Sequence, residues 1–173
     1  SQRYRNWELC ICDDASDDPE LRAYIEEITS SDSRIKFTAR ETNGGISRAT
    51  NDAIALATGE FVAFLDHDDL LHPHALSSVV QAIEAAPGAD LVYTDEDTMQ
   101  TELRAADVVV RRYRPYFKPG WGPDLLLTYP YLGHLLVVRR TLVEEIGGLR
   151  PEFDGSQDYD LMLRATERAR EVV

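Results

Sequence analysis

An α/β fold, with a mostly parallel central sheet and helices on both faces, is predicted by three features of this 173-residue sequence. Short apolar runs of strand length alternate with longer amphipathic stretches, which is the pattern of strand-helix-strand crossovers. The run Phe61-Val62-Ala63-Phe64-Leu65 is apolar at every position, as a strand covered on both faces requires. The length suits a single domain with its own core.

Each element has a local reason. Trp7 to Cys12 reads as a strand ending in Asp13-Asp14. Asp17-Asp18-Pro19-Glu20 then supplies a capping aspartate and a first-turn proline for a helix to about Thr29. Arg34 to Thr38 forms a second strand, and Asn43-Gly44-Gly45 turns into a helix from Ile46 to about Ala57. Glu60 to Leu65 is the third strand, expected to be central and buried. His72-Pro73 opens a helix that is apolar at Leu76, Val79, Val80 and Ile83 and closes at Pro87-Gly88. Ala89 to Tyr93 is the fourth strand, ending in Asp95-Glu96-Asp97. Thr98 to Leu132 has weak periodicity, several prolines and glycines, and the aromatics Tyr113, Tyr116, Phe117, Trp121 and Tyr129, so it reads as an irregular connection. Leu135 to Val138 is a last strand, Thr141 to Ile146 a short helix stopped by Gly147-Gly148, and Tyr159 to Arg170 a final helix.

The formal net charge of −13 opposes phosphate backbones and anionic bilayers, so no nucleic-acid partner is expected. No stretch reaches the ~20 apolar residues of a membrane span, and Ser1-Gln2-Arg3-Tyr4-Arg5 lacks a signal peptide's apolar segment. A soluble, cytoplasmic chain is expected, with any contact to the inner face of a membrane made through a parent protein. Cys10 and Cys12 alternate along one strand and share a face, which suits small packed residues rather than a disulfide or a zinc site.

The third strand runs directly into Asp66-His67-Asp68-Asp69. Carboxylates crowded at one strand end repel one another unless a cation or a proton compensates them, and ligands of open α/β sheets bind beyond such ends. Asp66 and Asp68 therefore point to a divalent metal, and hard oxygen ligands point to Mg²⁺ or Mn²⁺. The other reading of these residues is a solvated strand end followed by a helix cap.

Three clusters in fixed order resemble the family 2 glycosyltransferases: Glu8-Leu9-Cys10-Ile11-Cys12-Asp13-Asp14-Ala15-Ser16, then Gly59 through Asp69, then Ser156-Gln157-Asp158-Tyr159-Asp160-Leu161. Gly147-Gly148-Leu149-Arg150-Pro151 fits the same pattern. The resemblance implies one glycosyltransferase A-type, Rossmann-like catalytic domain over residues 1–173, with a nucleotide-sugar donor half at 1–97 and an acceptor half carrying the base at 98–173. It implies an inverting, metal-dependent transfer from a nucleotide sugar, most simply a UDP-sugar, to a glycan or lipid-linked acceptor in cell-surface polysaccharide synthesis.

By the same resemblance, Asp66-His67-Asp68 is the DXD motif. Asp68 is the main metal ligand, Asp66 assists through the metal's waters or the donor, and His67 lies close to the donor. Asp14 accepts a hydrogen bond from the imide of uracil or a related base, with Asp13 beside it, a carboxylate being suited to that N–H. Without the resemblance, Asp13 and Asp14 read equally as loop caps. Asp158 is the general base; on residue type alone Ser156-Gln157-Asp158 is good helix-start chemistry. Helix-start placement lowers a carboxyl pKa and neighbouring carboxylates raise it. His134, Gln157 and Trp121 are acceptor-side candidates, Tyr131 a further aromatic for stacking on a sugar, and Asp69 a cap for the following segment. Asp160 is expected to face solvent or to support the site, and Asp95 and Asp97 either to support the donor site or to form a solvated acidic run.

The sequence departs from the family pattern in three places. The family's first strand, before Tyr4-Arg5-Asn6-Trp7, and a downstream strand after Val173 are both absent, so the chain is expected to be a fragment with both ends missing. Thr50 stands where many relatives carry an arginine. Two rival readings follow: a degenerate, non-catalytic nucleotide-sugar-binding domain, and a nucleotidyltransferase. The latter requires a glycine-rich phosphate loop, and Asn43-Gly44-Gly45 is too short to be one.

Overall fold

The computed structural model describes residues 2–104 and 107–173. Its element order is β1 Leu9–Asp13, α1 Pro19–Ser31, β2 Ile35–Ala39, α2 Ile46–Ala55, β3 Phe61–Phe64, α3 Ala75–Ala85, β4 Leu91–Tyr93, β5 Glu96–Arg104, β6 Asp107–Tyr116, α4 Pro123–Leu126, β7 Leu136–Arg139, α5 Arg140–Glu145, a 3₁₀ turn Pro151–Phe153 and α6 Gln157–Arg168. The α/β fold expected from the alternation is present, but the three-stranded sheet is not mostly parallel, because β7 enters it antiparallel to both its neighbours. Asp18 caps α1 as its position suggests, its Oδ1 accepting from the amides of Glu20 and Leu21 at 2.9 and 3.1 Å.

The strands form three ladders. β1 and β2 pair in parallel, with Leu9 opposite Ile35 and Asp13 opposite Ala39. β7 lies between β3 and β4, antiparallel to both, so β3 and β4 run in one direction. β5 and β6 form a separate antiparallel pair.

Two expectations need correction. Thr98 to Leu132 is not an irregular connection throughout, because its first half belongs to the β5–β6 hairpin. Hairpin strands that are not buried need no apolar alternation: at β6, Val110 and Tyr113 are exposed, so the period that marks a strand packed on a core is missing. β3 is not a buried central strand. Its residues are half-buried or exposed, since among the described residues it has a ladder partner, β7, on one side. The deepest strand burial lies at β4 and β7, where Leu91, Val92, Leu136, Val137 and Val138 are nearly inaccessible. Leu91, Leu136 and Val138 join Leu126, Tyr131, Leu132, Leu142, Val143, Leu149, Leu161, Met162 and Ala165 in the main core, while Val92 and Val137 pack with Val79, Ala89 and Leu135 in a second cluster.

Side-chain ties join the β1–β2 pair to the rest. Glu8, at the entrance to β1, accepts from the amides of Thr58 and Gly59 at 2.5 and 2.9 Å and pairs with Lys36 of β2 at 2.5 Å, so one carboxylate links β1, β2 and the turn into β3. Burial pushes this carboxyl up, but the Lys36 ammonium and the two amides outweigh it and bring it down to about 2. Cys10 and Cys12 are free and half-buried, and burial raises both thiols.

Helix α2 is anchored by residues a hundred positions away. Its N-cap, Gly45, has φ +86° and no capping side chain; the Asp154 carboxylate accepts instead from the amide and hydroxyl of the fully buried Ser47. Asn51 clasps the backbone of Leu149 with two bonds, Nδ2 to O at 2.8 Å and N to Oδ1 at 2.9 Å. These contacts fasten the Gly147-Gly148 turn to the first half of the chain and so fix the start of α6.

Candidate functional site

The site gathers at the C-terminal end of β3, the entrance to β7 and the first turn of α6. Residues 66–69 form a turn closed by the Asp69 amide donating to the Asp66 carbonyl at 3.2 Å. His134 faces that turn from the segment leading into β7, its Nε2 3.8 Å from Asp66 Oδ2 and its Nδ1 3.7 Å from Asp69 Oδ2. One ligand atom from each of Asp66, Asp69 and His134 lies within 4.8 Å of the others. Two carboxylates and an imidazole at that spacing suit an octahedral divalent ion such as Mn²⁺ or Mg²⁺ completed by water and substrate oxygens. His67 and Asp68 are exposed in the same turn, and Asp68 lies outside this trio.

Asp69 is the residue that sequence reasoning misplaced. It does not cap the following helix: α3 begins at Ala75 after His74 and has no side-chain cap. The acidic run alone gave no means of telling which of its carboxylates meets His134, because that depends on the chain's path after β3.

Asp158 occupies the first turn of α6 and lines a pocket of about 270 Å³ with Pro130, Gly133, His134, Gly155, Ser156, Tyr159 and Met162. Burial pushes its carboxyl up, the negative charge of Asp66 pushes it further, and His134 and a bond from Gln157 partly offset both. The net shift is upward, so desolvation and Asp66 prevail over the helix-start effect. This coupling ties the turn at residues 66–69 to the pocket.

Gln157 is buried and holds Asp158, its Nε2 donating to Asp158 Oδ2 at 2.9 Å while its Oε1 accepts the Gly155 amide at 2.7 Å. Trp121 packs against the main core and is not among the pocket's lining residues; Tyr131 is buried, with its hydroxyl bonded to the Gly122 amide at 2.9 Å. Asp160 is buried between Arg150 and Arg164, and Arg164 also donates to the carbonyls of Ile146 and Gly148 at 2.8 Å, so this carboxylate supports the α6 start. Asp97 pairs with Arg112 at 2.7 Å, and Asp95 accepts the Lys118 amide at 2.7 Å.

The first motif closes β1. Asp14 accepts from the amides of Gly44 and Gly45 at 2.8 and 2.9 Å and pairs with Arg40 at 3.1 Å. Asp13 accepts the Ser16 amide at 3.1 Å. Both carboxylates thus shape the loop after β1, and each keeps lone pairs for a further donor.

Three comparisons bear on this arrangement. Residues 1–147 match the family model described as "Glycosyl transferase family 2". The O-antigen biosynthesis protein RfbC of Myxococcus xanthus is 44% identical over 167 residues, which is 96% of this chain and 12% of that protein. The chain thus spans a small part of that relative's length. Among solved structures, residues 1–349 of Staphylococcus aureus TarS superimpose with a TM-score of 0.71 at 19% identity, covering 99% of this chain and 50% of that one. The mannosyltransferase PcManGT of Pyrobaculum calidifontis, in complex with GDP-Man and Mn²⁺, gives 0.68 at 18% identity over 99% of this chain and 47% of that one. At these identities the two structures establish the shared fold. Among the described residues, no helix is long and apolar enough to cross a membrane.

Proposed function

The chain belongs to glycosyl transferase family 2, and on that premise we propose that it transfers a sugar from a nucleoside diphosphate sugar to a glycan or lipid-linked acceptor during polysaccharide synthesis, inverting the anomeric centre with the help of Mn²⁺ or Mg²⁺. The observation that carries this reading is that His134 and Asp158 line one pocket while Asp66 stands beside His134 and its charge acts on Asp158, three groups brought together from separate segments. RfbC's description as an O-antigen biosynthesis protein favours a polysaccharide product, and the GDP-Man and Mn²⁺ in the PcManGT complex favour a metal-assisted nucleotide-sugar donor. We take UDP as the first nucleotide to test and the cytoplasm as the place of reaction, where an inner-membrane face would present any lipid-linked acceptor.

In this proposal residues 1–97 supply the donor side and residues 98–173 the acceptor side. Asp66, Asp69 and His134 would hold the cation, and Asp68, in the same turn, is the further ligand that the family pattern names. When bound, the cation compensates the charge that gathers on the diphosphate leaving group. Asp158 takes the proton of the acceptor hydroxyl as that oxygen bonds to the anomeric carbon. The bond from this carbon to the diphosphate oxygen breaks on the opposite face, and its electron pair leaves with the nucleotide. Burial keeps Asp158 more basic than a solvated aspartate, and Gln157 fixes its orientation. The lone pairs left on Asp13 and Asp14 meet the base. His134, Gly155 and Tyr159 border the acceptor; Trp121 acts from behind by packing.

The test is calorimetric titration of UDP, GDP and dTDP into the chain with Mn²⁺, with Mg²⁺ and with chelator, followed by donor turnover in wild type and Asp158→Asn. Metal-dependent binding of one nucleotide that Asp66→Ala abolishes supports the proposal. A folded chain that binds none of the three with either metal sinks it.

A further inference from the structure

Lys118 lies in the loop after β6, and its side chain is 1% exposed. Its ammonium donates to three acceptors: Glu96 Oε2 at 2.9 Å, the Leu132 carbonyl at 2.7 Å and the His134 carbonyl at 2.8 Å. Glu96 Oε2 also accepts the His134 amide at 3.0 Å. The backbone of His134 is therefore gripped at both its N–H and its C=O by one ion pair, whose ammonium is buried and whose carboxylate is partly exposed. Gly133 lets the pair come this close. Its φ is +41°, and a Cβ there would lie 2.8 Å from Glu96 Oε2 and 3.1 Å from Lys118 Nζ.

The imidazole itself is held differently. Its nitrogens stand 3.7 and 3.8 Å from the Asp69 and Asp66 carboxylates, beyond hydrogen-bond reach, so no direct bond to those carboxylates fixes the ring. What these bonds do fix is the backbone from which the ring projects. A buried ammonium is expensive to keep unless every proton is accepted, and here all three are. A neutral donor would staple one carbonyl; the tetrahedral ammonium reaches two carbonyls and the carboxylate that holds the amide.

We infer that Lys118 and Glu96 are positioning residues that present the His134 imidazole to Asp66 and Asp69 and so set the affinity of that trio for a divalent cation. This rests on the metal-dependent reading proposed above. Such supports orient a ligand without touching the ion, and losing one commonly weakens metal binding about 10–100-fold.

The test is Mn²⁺ binding alone, followed by the electron paramagnetic resonance signal of the free ion, on wild type, Lys118→Met, His134→Ala and the double variant, with thermal unfolding as the check on folding. Lys118→Met is expected to weaken Mn²⁺ binding at least tenfold, and to add nothing in the His134→Ala background. Should Lys118→Met fail to fold, Gly133→Ala, which displaces the same pair, takes its place with the same expectation. Unchanged Mn²⁺ affinity in a folded variant overturns the inference and leaves the transferase reading standing. So does a loss that adds to that of His134→Ala. No Mn²⁺ binding by folded wild type overturns the inference together with the metal-dependent reading.

Discussion

Gln157 Nε2 donates to Asp158 Oδ2 at 2.9 Å, and the same glutamine is itself fixed by the Gly155 amide. The proposed base is thus held by its immediate neighbour in sequence, which is buried while Asp158 reaches the pocket. Asp158→Asn is expected to lower turnover by about 10²–10⁴ while nucleotide affinity stays within a factor of two or three. Gln157→Leu keeps the volume and removes the bond, and its expected loss is smaller and confined to kcat. Steady-state kinetics beside calorimetry separates the two effects.

The Asp158 carboxyl lies above its ordinary value because burial and Asp66 disfavour its charge. A base must be deprotonated, so activity falls as pH drops through this raised pKa, and the acid limb lies higher than a solvated aspartate would place it. Carboxyl-carbon NMR of the metal-free chain reads the titration directly. Asp66→Asn removes a negative charge and is expected to move the Asp158 midpoint down; His134→Ala removes the offsetting group and moves it up wherever the imidazole is protonated. A midpoint in the normal aspartate range, unmoved by Asp66→Asn, contradicts the coupling.

Acid stability follows from two other carboxylates. Asp90 is buried and engaged by Arg170 and Arg139, whose bonds to it outweigh burial and hold it well below the usual range; Glu8 is lowered to about 2. Carboxyls depressed in the folded chain contribute stability that is complete above their unfolded values, about 4, and is lost as pH falls through the folded values. Urea unfolding is expected to show stability declining from about pH 5 to pH 2. Asp90→Asn and Glu8→Gln should each flatten that decline, and Glu8→Gln should cost about 1–3 kcal/mol at pH 7 through its amide and ammonium partners.

The long-range cap on α2 makes a prediction of its own. Asp154→Ala leaves the Ser47 amide at the helix start without its acceptor and its hydroxyl with the Arg150 carbonyl at 3.4 Å. The expected cost is about 1–2 kcal/mol by chemical denaturation. Gly45→Ala is expected to be at least as harmful, since φ is +86° and the new methyl would press on the Asp154 carboxylate.

The elements with a core face were legible from the sequence. α1 announced itself by Asp18-Pro19, α2 by its glycine turn, and β4 and β7 by uninterrupted apolar residues, because capping and burial are local demands that a short stretch must satisfy itself. Asp66, Asp68 and Asp158 stood out in the sequence by residue type and motif order, and the roles proposed for them rest on that pattern. The β5–β6 hairpin was not, since strands exposed to water carry no obligatory period.

Tertiary structure decided which of these groups meet. Asp69 joins Asp66, and His134 arrives on the segment leading into β7, the strand inserted antiparallel between β3 and β4; nothing near residue 69 in the chain records that insertion. Likewise Lys118 and Glu96 look like ordinary loop and strand charges until Gly133 brings His134's backbone between them. Sequence determined the fold class and the kinds of group available, because hydrophobic burial and local hydrogen bonding act on neighbouring residues. Distances of a few ångströms between segments tens of residues apart are set by how the elements pack, and the Asp66–Asp69–His134 trio, the elevated Asp158 and the buried lysine all depend on those distances.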